Sequence, residues 1–365
     1  DLTAALARFP RGKRHLEILR LLASERILAG QQTGDAVAYE EGMAWLRRAA
    51  QEHAKDPDVI AVERQLAEVH EMRGQLEQAA KAWLRIVERH PKHAMVPEAR
   101  DRAAQALRNA SRFEETIRVW EGFLSAHPNH ERWEAVRAAI VDAWYLKAGH
   151  LRERKEPDAA IAAYRDFATR YPDDGRAPVA LVAAGMLLRE QESHEAAMTL
   201  WRAVTGRYAK NRVAPLAAKL VAVTLEDDLG RLEEAIESYE ALLKRFPRSA
   251  EAREAKARLE RLRAKHLEVR ATRVVGTGEP KALEVMTRNI ETLRVRVYRL
   301  GLEDYFRRKG TVAGVQNLQL EIVKPDWTLE WKPEAYKPFA LLEADQTVPV
   351  TEPGAYVVVA GDEHL

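Results

Sequence analysis

A sixteen-residue phrase occurs five times between residues 76 and 247, and this repetition restricts the fold more than any other property of the chain. The copies close at Pro91, Pro128, Pro172, Ala209 and Pro247, at intervals of 37, 44, 37 and 38 residues. A period between about 20 and 50 residues belongs to units that bury their apolar faces only against neighbours. The fourth position of the phrase is small: Ala79, Thr116, Ala160, Ala197 and Ala235. The eighth is aromatic (Trp83, Trp120, Tyr164, Trp201, Tyr239) and the eleventh apolar (Ile86, Phe123, Phe167, Val204, Leu242). These positions share one stripe of a helix, and the Glu, Arg and Lys between them face water. The proline ends the helix, because the residue before it is pushed out of helical geometry. Each phrase is therefore expected to be the second helix of a two-helix unit. Stacked units offer a long binding surface rather than a closed catalytic pocket.

A further helical stretch precedes each phrase. Leu66, Ala67 and His70 lead to Gly74, which suits a helix C-cap and tight turn. Leu181, Ala184, Gly185 and Leu188 take the same places before the copy closing at Ala209. With Ala67, Gly74, Ala79, Trp83 and Pro91 in register, Val62 to Pro91 resembles the tetratricopeptide repeat family. The copy closing at Pro172 carries seven extra residues around LKAGHLRERKEP, which predicts a longer loop between its two helices. The variable spacing and the RYP and RFP endings resemble the degenerate repeats of bacterial envelope proteins. The first residues are less regular. Lys13 to Leu28 and Ala36 to His53 are amphipathic patterns separated by AGQQTGD, and LTAALARFP reads as the tail of a second helix whose partner is missing. The chain is accordingly expected to begin inside a longer array.

After Lys265 the apolar period changes to two. Leu293, Val295 and Val297 alternate with Arg294 and Arg296, and Leu318, Leu320 and Ile322 with Gln319 and Glu321. Further strands are expected at Leu267 to Val275, Ala282 to Thr287, Thr328 to Trp331, Phe339 to Glu343, Thr347 to Val350 and Ala355 to Ala360, with a short helix or ordered turn at Leu302 to Gly310. Several short strands in this length read as a β-sandwich. The run LRVRVYRLGLEDYFRRKGTVAGVQNLQLEIVKPD, followed by YKPF and PGAYVV, resembles the early macroglobulin domain of bacterial α2-macroglobulin-like proteins. That resemblance implies a member of a protease-inhibitor family, a location in the periplasm or cell envelope, and a remainder of chain beyond residue 365. The sandwich is then expected to be incomplete or its edge covered by a neighbouring molecule. The family's thioester chemistry requires a cysteine, of which the chain has none, and its protease-bait segment lies beyond an early macroglobulin domain.

Lysine and arginine total 58 against 56 acids, a net charge of +2, so a nucleic-acid partner is not expected. No stretch approaches the roughly 18 apolar residues of a membrane helix. Two histidine pairs, His90 with His93 and His127 with His130, stand at equivalent junctions and raise the question of zinc or nickel. The simpler reading places His90 and His127 in the aromatic slot held elsewhere by Tyr171, Tyr208 and Phe246, with the other two in solvent. His70-Glu71 and His194-Glu195 lack the second histidine of a zinc-protease helix, and no nucleophile elbow or phosphate loop occurs. No enzyme, cofactor or metal site is expected.

In the tetratricopeptide family the first helices build the concave surface. By that resemblance its positions here are Arg64, Glu68 and Glu71 in one unit and Asp101, Gln105 and Arg108 in the next. A clamp for peptide carboxylates would want a basic residue first and Asn second; Arg64 fits, Glu68 and Asp101 do not. The mixed charge suits a polar peptide or protein partner, or is ordinary solvated surface. The expected organisation is an irregular helical part (1–57), tetratricopeptide-like helical repeats forming an α-solenoid (58–265) and a macroglobulin-like β-sandwich (266–365). The expected role is protein–protein interaction without catalysis, the repeats docking a partner and protease capture residing elsewhere. The alternative is a free-standing repeat scaffold for an envelope assembly with an accessory β-sandwich.

Overall fold

Every copy of the phrase forms a fourteen-residue helix that stops two residues before its closing position. In the computed structural model, which describes residues 2–271, 279, 281–311, 320 and 323–362, these are α5 (Leu76–Arg89), α7 (Phe113–Ala126), α9 (Pro157–Arg170), α11 (His194–Arg207) and α13 (Leu232–Arg245). The first helices of the units are α4 (Val59–Met72), α6 (Val96–Asn109), α8 (Trp133–Glu153), α10 (Ala177–Glu190) and α12 (Ala214–Val223). A π-helical turn at Thr224–Asp228 continues α12. Ahead of the repeats lie α1 (Leu2–Arg8), α2 (Lys13–Thr33) and α3 (Ala36–Glu52), and α14 (Ala250–Arg263) follows them. The chain divides into two compact units, Asp1–Glu190 and Gln191–Leu365. Within the first, each helix from α1 to α10 packs on the next; within the second, α11 to α14 do the same.

All fifteen residues in the three sequence columns are at most 3% exposed, as the helical stripe requires. Trp83 packs with Ala67 of α4 and Ala99 and Ala103 of α6, and so joins adjacent repeats. Trp120 and Phe123 pack with Ala104 of α6 and Val136, Ile140 and Ala143 of α8. Burying a Trp side chain removes on the order of 200 Å² from water, the largest single contribution any residue type makes to such a junction.

Two backbone devices repeat with the period, and a third absorbs departures from it. First, the residue two places before each second helix takes positive φ: Gly74, Ser111, Lys155, Glu192 and Gly230, all between 58° and 68°. In α4, α6 and α8 the next amide then bonds back to a carbonyl five residues earlier (Gln75 to His70, Arg112 to Leu107, Glu156 to Leu151), the Schellman closure of a helix. Second, the residue two places after each closing position accepts a backbone N–H from the start of the next helix. His93 Nδ1 and His130 Nδ1 take Met95 and Arg132 at 3.1 Å, Asp174 takes Arg176 at 2.8 Å, Asn211 takes Val213 at 3.1 Å and Ser249 takes Ala252 at 3.0 Å. Third, insertions are absorbed inside first helices. α8 has 21 residues where α4, α6 and α10 have 14, so the seven extra residues lengthen the helix by about two turns, which returns the chain to the same face. The loop to α9 keeps its three residues, and the expected longer loop is corrected. The one extra residue of the 38-residue interval is taken up by the π-turn at Thr224–Asp228, where Leu229 bonds back to Thr224.

After α14 the strands among the described residues form two antiparallel three-stranded sheets. One has the order β1 (His266–Arg270), β2 (Ala282–Arg288), β5 (Leu342–Thr347); the other has the order β4 (Trp327–Trp331), β3 (Leu293–Leu300), β6 (Ala355–Gly361). Val285 pairs with Ala344 in the first sheet, and Val295 pairs with Leu329 and Ala360 in the second. The inward residues Leu283 and Val285 of β2 share one apolar cluster with Leu293, Val295 and Val297 of β3 and with Ile290, Val348 and Val350. α15 (Leu302–Lys309) is the expected short helix and has no buried residue. The strands expected at Phe339 to Glu343 and Thr347 to Val350 are replaced by one, β5. Phe339 has φ +66°, and Val348 to Val350 close a tight turn while their side chains stay in the core. The expected strand containing Leu318 and Ile322 lies outside the described residues, as does the end of the one expected to run to Val275.

Candidate functional site

The first helices present the surface that the sequence singles out, and their second-helix partners determine which side chains remain available on it. Each buried ring of the aromatic column carries a polar atom that must keep a hydrogen bond once removed from water. Trp83 Nε1 donates to Glu71 Oε1 at 2.8 Å, Trp120 Nε1 donates to Asp101 Oδ1 at 3.0 Å, and Tyr239 Oη donates to Glu226 Oε2 at 2.7 Å. In each case the acceptor belongs to the first-helix segment of the same unit. Glu226 pairs in addition with Arg258 and Arg261 of α14. Burial opposes ionisation of Glu226, but the bonds from Tyr239, Arg258 and Arg261 outweigh it and hold its carboxyl below the usual range. Burial, reinforced by the Glu226 carboxylate, pushes the Tyr239 hydroxyl well up.

These bonds decide the fate of the six expected partner-contacting residues. Asp101 is buried, accepts from Gln105 Nε2 at 2.8 Å as well as from Trp120, and pairs with Arg132 at the start of α8. Its expected place on an accessible face is therefore corrected: the indole N–H needs an acceptor, and Asp101 supplies it. Glu71 is half-buried between Trp83 and Arg102 of α6, at 3.3 Å from the latter. Arg64 is exposed and bonds Glu68 one turn along α4 at 2.8 Å. Gln105 is half-buried, and the Arg108 guanidinium lies over the Trp120 ring at 5.9 Å. The Glu71–Arg102 pair brings the α4 and α6 surfaces side by side. Arg64, Glu68, Gln105 and Arg108 thus reach water, Arg64 paired with Glu68 and Arg108 laid on the Trp120 ring, while Glu71 and Asp101 are turned to structural use.

Sequence reasoning missed Arg102 and Arg132, which complete the pairs. The four junction histidines have places of their own. His90 Nε2 lies 3.2 Å from Glu63, the His127 ring meets Phe123 edge-on at 5.4 Å, and His93 and His130 accept backbone amides. His127 thus stands against the phrase's eleventh residue as Tyr171 stands against Phe167.

Ion pairs also link successive repeats at one period. Glu77 pairs with Arg112, Glu114 with Lys147, Asp142 with Arg176, Glu195 with Arg231 and Lys219 with Glu254. At least one partner of each is well exposed, so each contributes little alone. No described helix is long and apolar enough to cross a membrane.

The tetratricopeptide repeat family matches residues 64–93 in one of its forms and residues 102–175 and 220–268 in another. The chain thus carries tetratricopeptide repeats, a fold that generally serves as a protein–protein interaction scaffold. No curated protein matches the sequence. Among solved structures, residues 41 to the end of MamA from Desulfovibrio magneticus RS-1 match at 15% identity over 54% of this chain and 97% of that one, with a TM-score of 0.25. The TPR2AB-domain:pHSP90 complex of yeast Sti1 matches at 16% over 65% and 96%, with a TM-score of 0.27. YrrB, described as a TPR protein with an unusual peptide-binding site, matches at 19% over 58% and 97%, with a TM-score of 0.29.

Proposed function

We propose that this chain is a non-catalytic scaffold that docks a polar peptide or protein on the concave surface of its first helices, at Arg64, Glu68, Gln105 and Arg108. The observation that carries this reading is the division of labour within each repeat. The aromatic rings are buried and cannot stack on a ligand, and the polar side chains left at the surface of α4 and α6 are held in place by internal pairs. A surface on which Arg64 meets Glu68 and Glu71 meets Arg102 offers both signs of charge, which favours a partner of mixed polarity over a highly charged one.

On this reading the two sheets are the early macroglobulin-like domain of a longer bacterial α2-macroglobulin-like protein of the periplasm or cell envelope, and protease capture belongs to other domains. What supports it is the resemblance of Leu293 to Asp326 together with the pairing of two antiparallel sheets around one core. The rival is a free-standing repeat scaffold. The reading frame that encodes the chain separates the two: continuation into further sandwich domains supports the first, and a stop near Leu365 supports the rival.

Docking is tested by exchanging the charges of one pair. R64E/E68R retains an ion pair on α4 while reversing the polarity offered to a partner. Chemical cross-linking in the native host should recover a partner with the wild type and lose it with R64E/E68R, whereas K81E/R85E on α5 should keep it. Equal recovery with both variants would place the docking surface elsewhere.

A further inference from the structure

The α2 start and the α3 end bring three potential ligands together in the part of the chain that precedes the repeats. His15 lies in the first turn of α2 and is 3% exposed. Glu52 is the last residue of α3, and His53 is its C-cap. His15 Nδ1 lies 2.8 Å from His53 Nε2, and His15 Nε2 lies 3.7 Å from Glu52 Oε2. One ligand atom from each of the three falls within 4.8 Å of the others, and no other cluster of three His, Asp or Glu side chains among the described residues meets that condition. One ion takes only one of the two His15 nitrogens, and the three ligand atoms, within 4.8 Å of one another, would draw in to the roughly 3.4 Å spacing of tetrahedral ligands held about 2.0–2.1 Å from zinc.

We propose that His15, Glu52 and His53 form a binding site for one divalent transition-metal ion of the zinc class. Two imidazoles and one carboxylate are the borderline donor set that zinc, cobalt and nickel accept, and that calcium and magnesium, which take oxygen ligands, do not. Three protein ligands leave a fourth position. The cluster opens on a hollow walled by α1 and the Pro10–Gly12 turn, so water or a partner's side chain can reach that position. The C-terminal carbonyls of α3 favour a cation there, while the nearby α2 start opposes it. The facing charges are Glu52, Arg48 and Arg11. Arg48 Nε bonds the other Glu52 oxygen at 2.7 Å, and its half-exposed side chain leaves Oε2 directed to His15. The ion would staple α2 to α3 at the beginning of the helical run.

An untagged, chelator-stripped full chain titrated with zinc chloride in a calorimeter tests this. The expected result is one ion per chain, with affinity reduced at least about tenfold in H53Q and in E52Q and unchanged in H93Q/H130Q. His53 and Glu52 are on the surface side of the site, and circular dichroism establishes that both variants fold. Cobalt in place of zinc should give visible absorption that H53Q abolishes, a readout a purely structural role would not move. Absence of stoichiometric binding, binding that survives both H53Q and E52Q, or loss of binding in H93Q/H130Q would overturn the proposal.

Discussion

The indole Nε1 of Trp120 donates to Oδ1 of Asp101 at 3.0 Å in a buried position, fastening the second helix of a repeat to its first. Trp83 with Glu71 and Tyr239 with Glu226 repeat the lock with different rings and different acids. The apolar body of each ring fills the junction to the next repeat, and its polar atom selects the carboxylate that orients it. Removing the acid costs more than the bond itself, because the indole donor stays buried without a partner.

D101A is therefore expected to lower stability by about 2 to 4 kcal/mol, and D101N, which retains an acceptor, by about 1 kcal/mol. R64A, at the exposed end of the same surface, should change it by less than about 0.5 kcal/mol. Urea denaturation of the three variants checks the ranking. A neutral D101A would mean that Asp101 is free to serve a partner after all.

The left-handed positions before the second helices give a prediction of opposite sign. Ser111, Lys155 and Glu192 adopt φ near +60°, where a Cβ crowds the following carbonyl. K155G and E192G should each raise stability by about 1 kcal/mol, partly offset by the greater freedom of glycine in the unfolded chain. G74A, at the equivalent site with φ +68°, should lower it by a similar amount. Thermal denaturation distinguishes these outcomes.

Acid should weaken the fold through identifiable carboxylates. Hydrogen bonds from the Arg176 side chain, stronger than the opposing effect of burial, hold the Asp174 carboxyl below its usual range, and Glu226 is held down by Tyr239, Arg258 and Arg261. Both folded-state values lie below those of the unfolded chain, near about 4. Their stabilising contribution is thus complete above that range and is lost as pH falls through the folded values. Denaturation midpoints measured from pH 7 to pH 3 should fall less steeply in E226Q and D174N, each starting from a lower value at pH 7.

Asn289 ties the last helix to the sheets. Its Nδ2 donates to the carbonyls of Leu262, at 2.7 Å, and Ala264, at 3.0 Å, while its Oδ1 accepts the Phe339 amide at 2.9 Å. Its own φ of +56° is one that Asn tolerates. N289G keeps the backbone and removes all three bonds, so it should cost about 1 to 3 kcal/mol and speed amide exchange at Phe339. Unchanged exchange there would show that the contact contributes nothing to holding the turn.

The three apolar columns were legible because one helical period places them on a single buried stripe, and all fifteen positions are buried. Gly74 announced its turn, but Ser111, Lys155 and Glu192 did not, since a residue forced into left-handed geometry by its neighbours leaves no mark of its own. The seven-residue insertion was visible while its location was not: length reveals an insertion, and only helix phase shows that α8 can absorb it. Asp101 was misplaced because charge argued for water, whereas the need of the Trp120 indole argued for burial. In the sheets, alternation located β2, β3, β4 and β6, but the Lys337–Ala340 turn and the buried Val348 and Val350 blurred β5 into two pieces.

Photo-cross-linking in the native host tests the docking surface most directly. A photoreactive side chain placed at Arg64, Gln105 or Arg108 should each give the same covalent partner, while the same group at Lys81 or Arg85 on the exposed side of α5 should give none. Adducts formed only from Lys81 or Arg85, or no adduct from any first-helix position, would contradict the account.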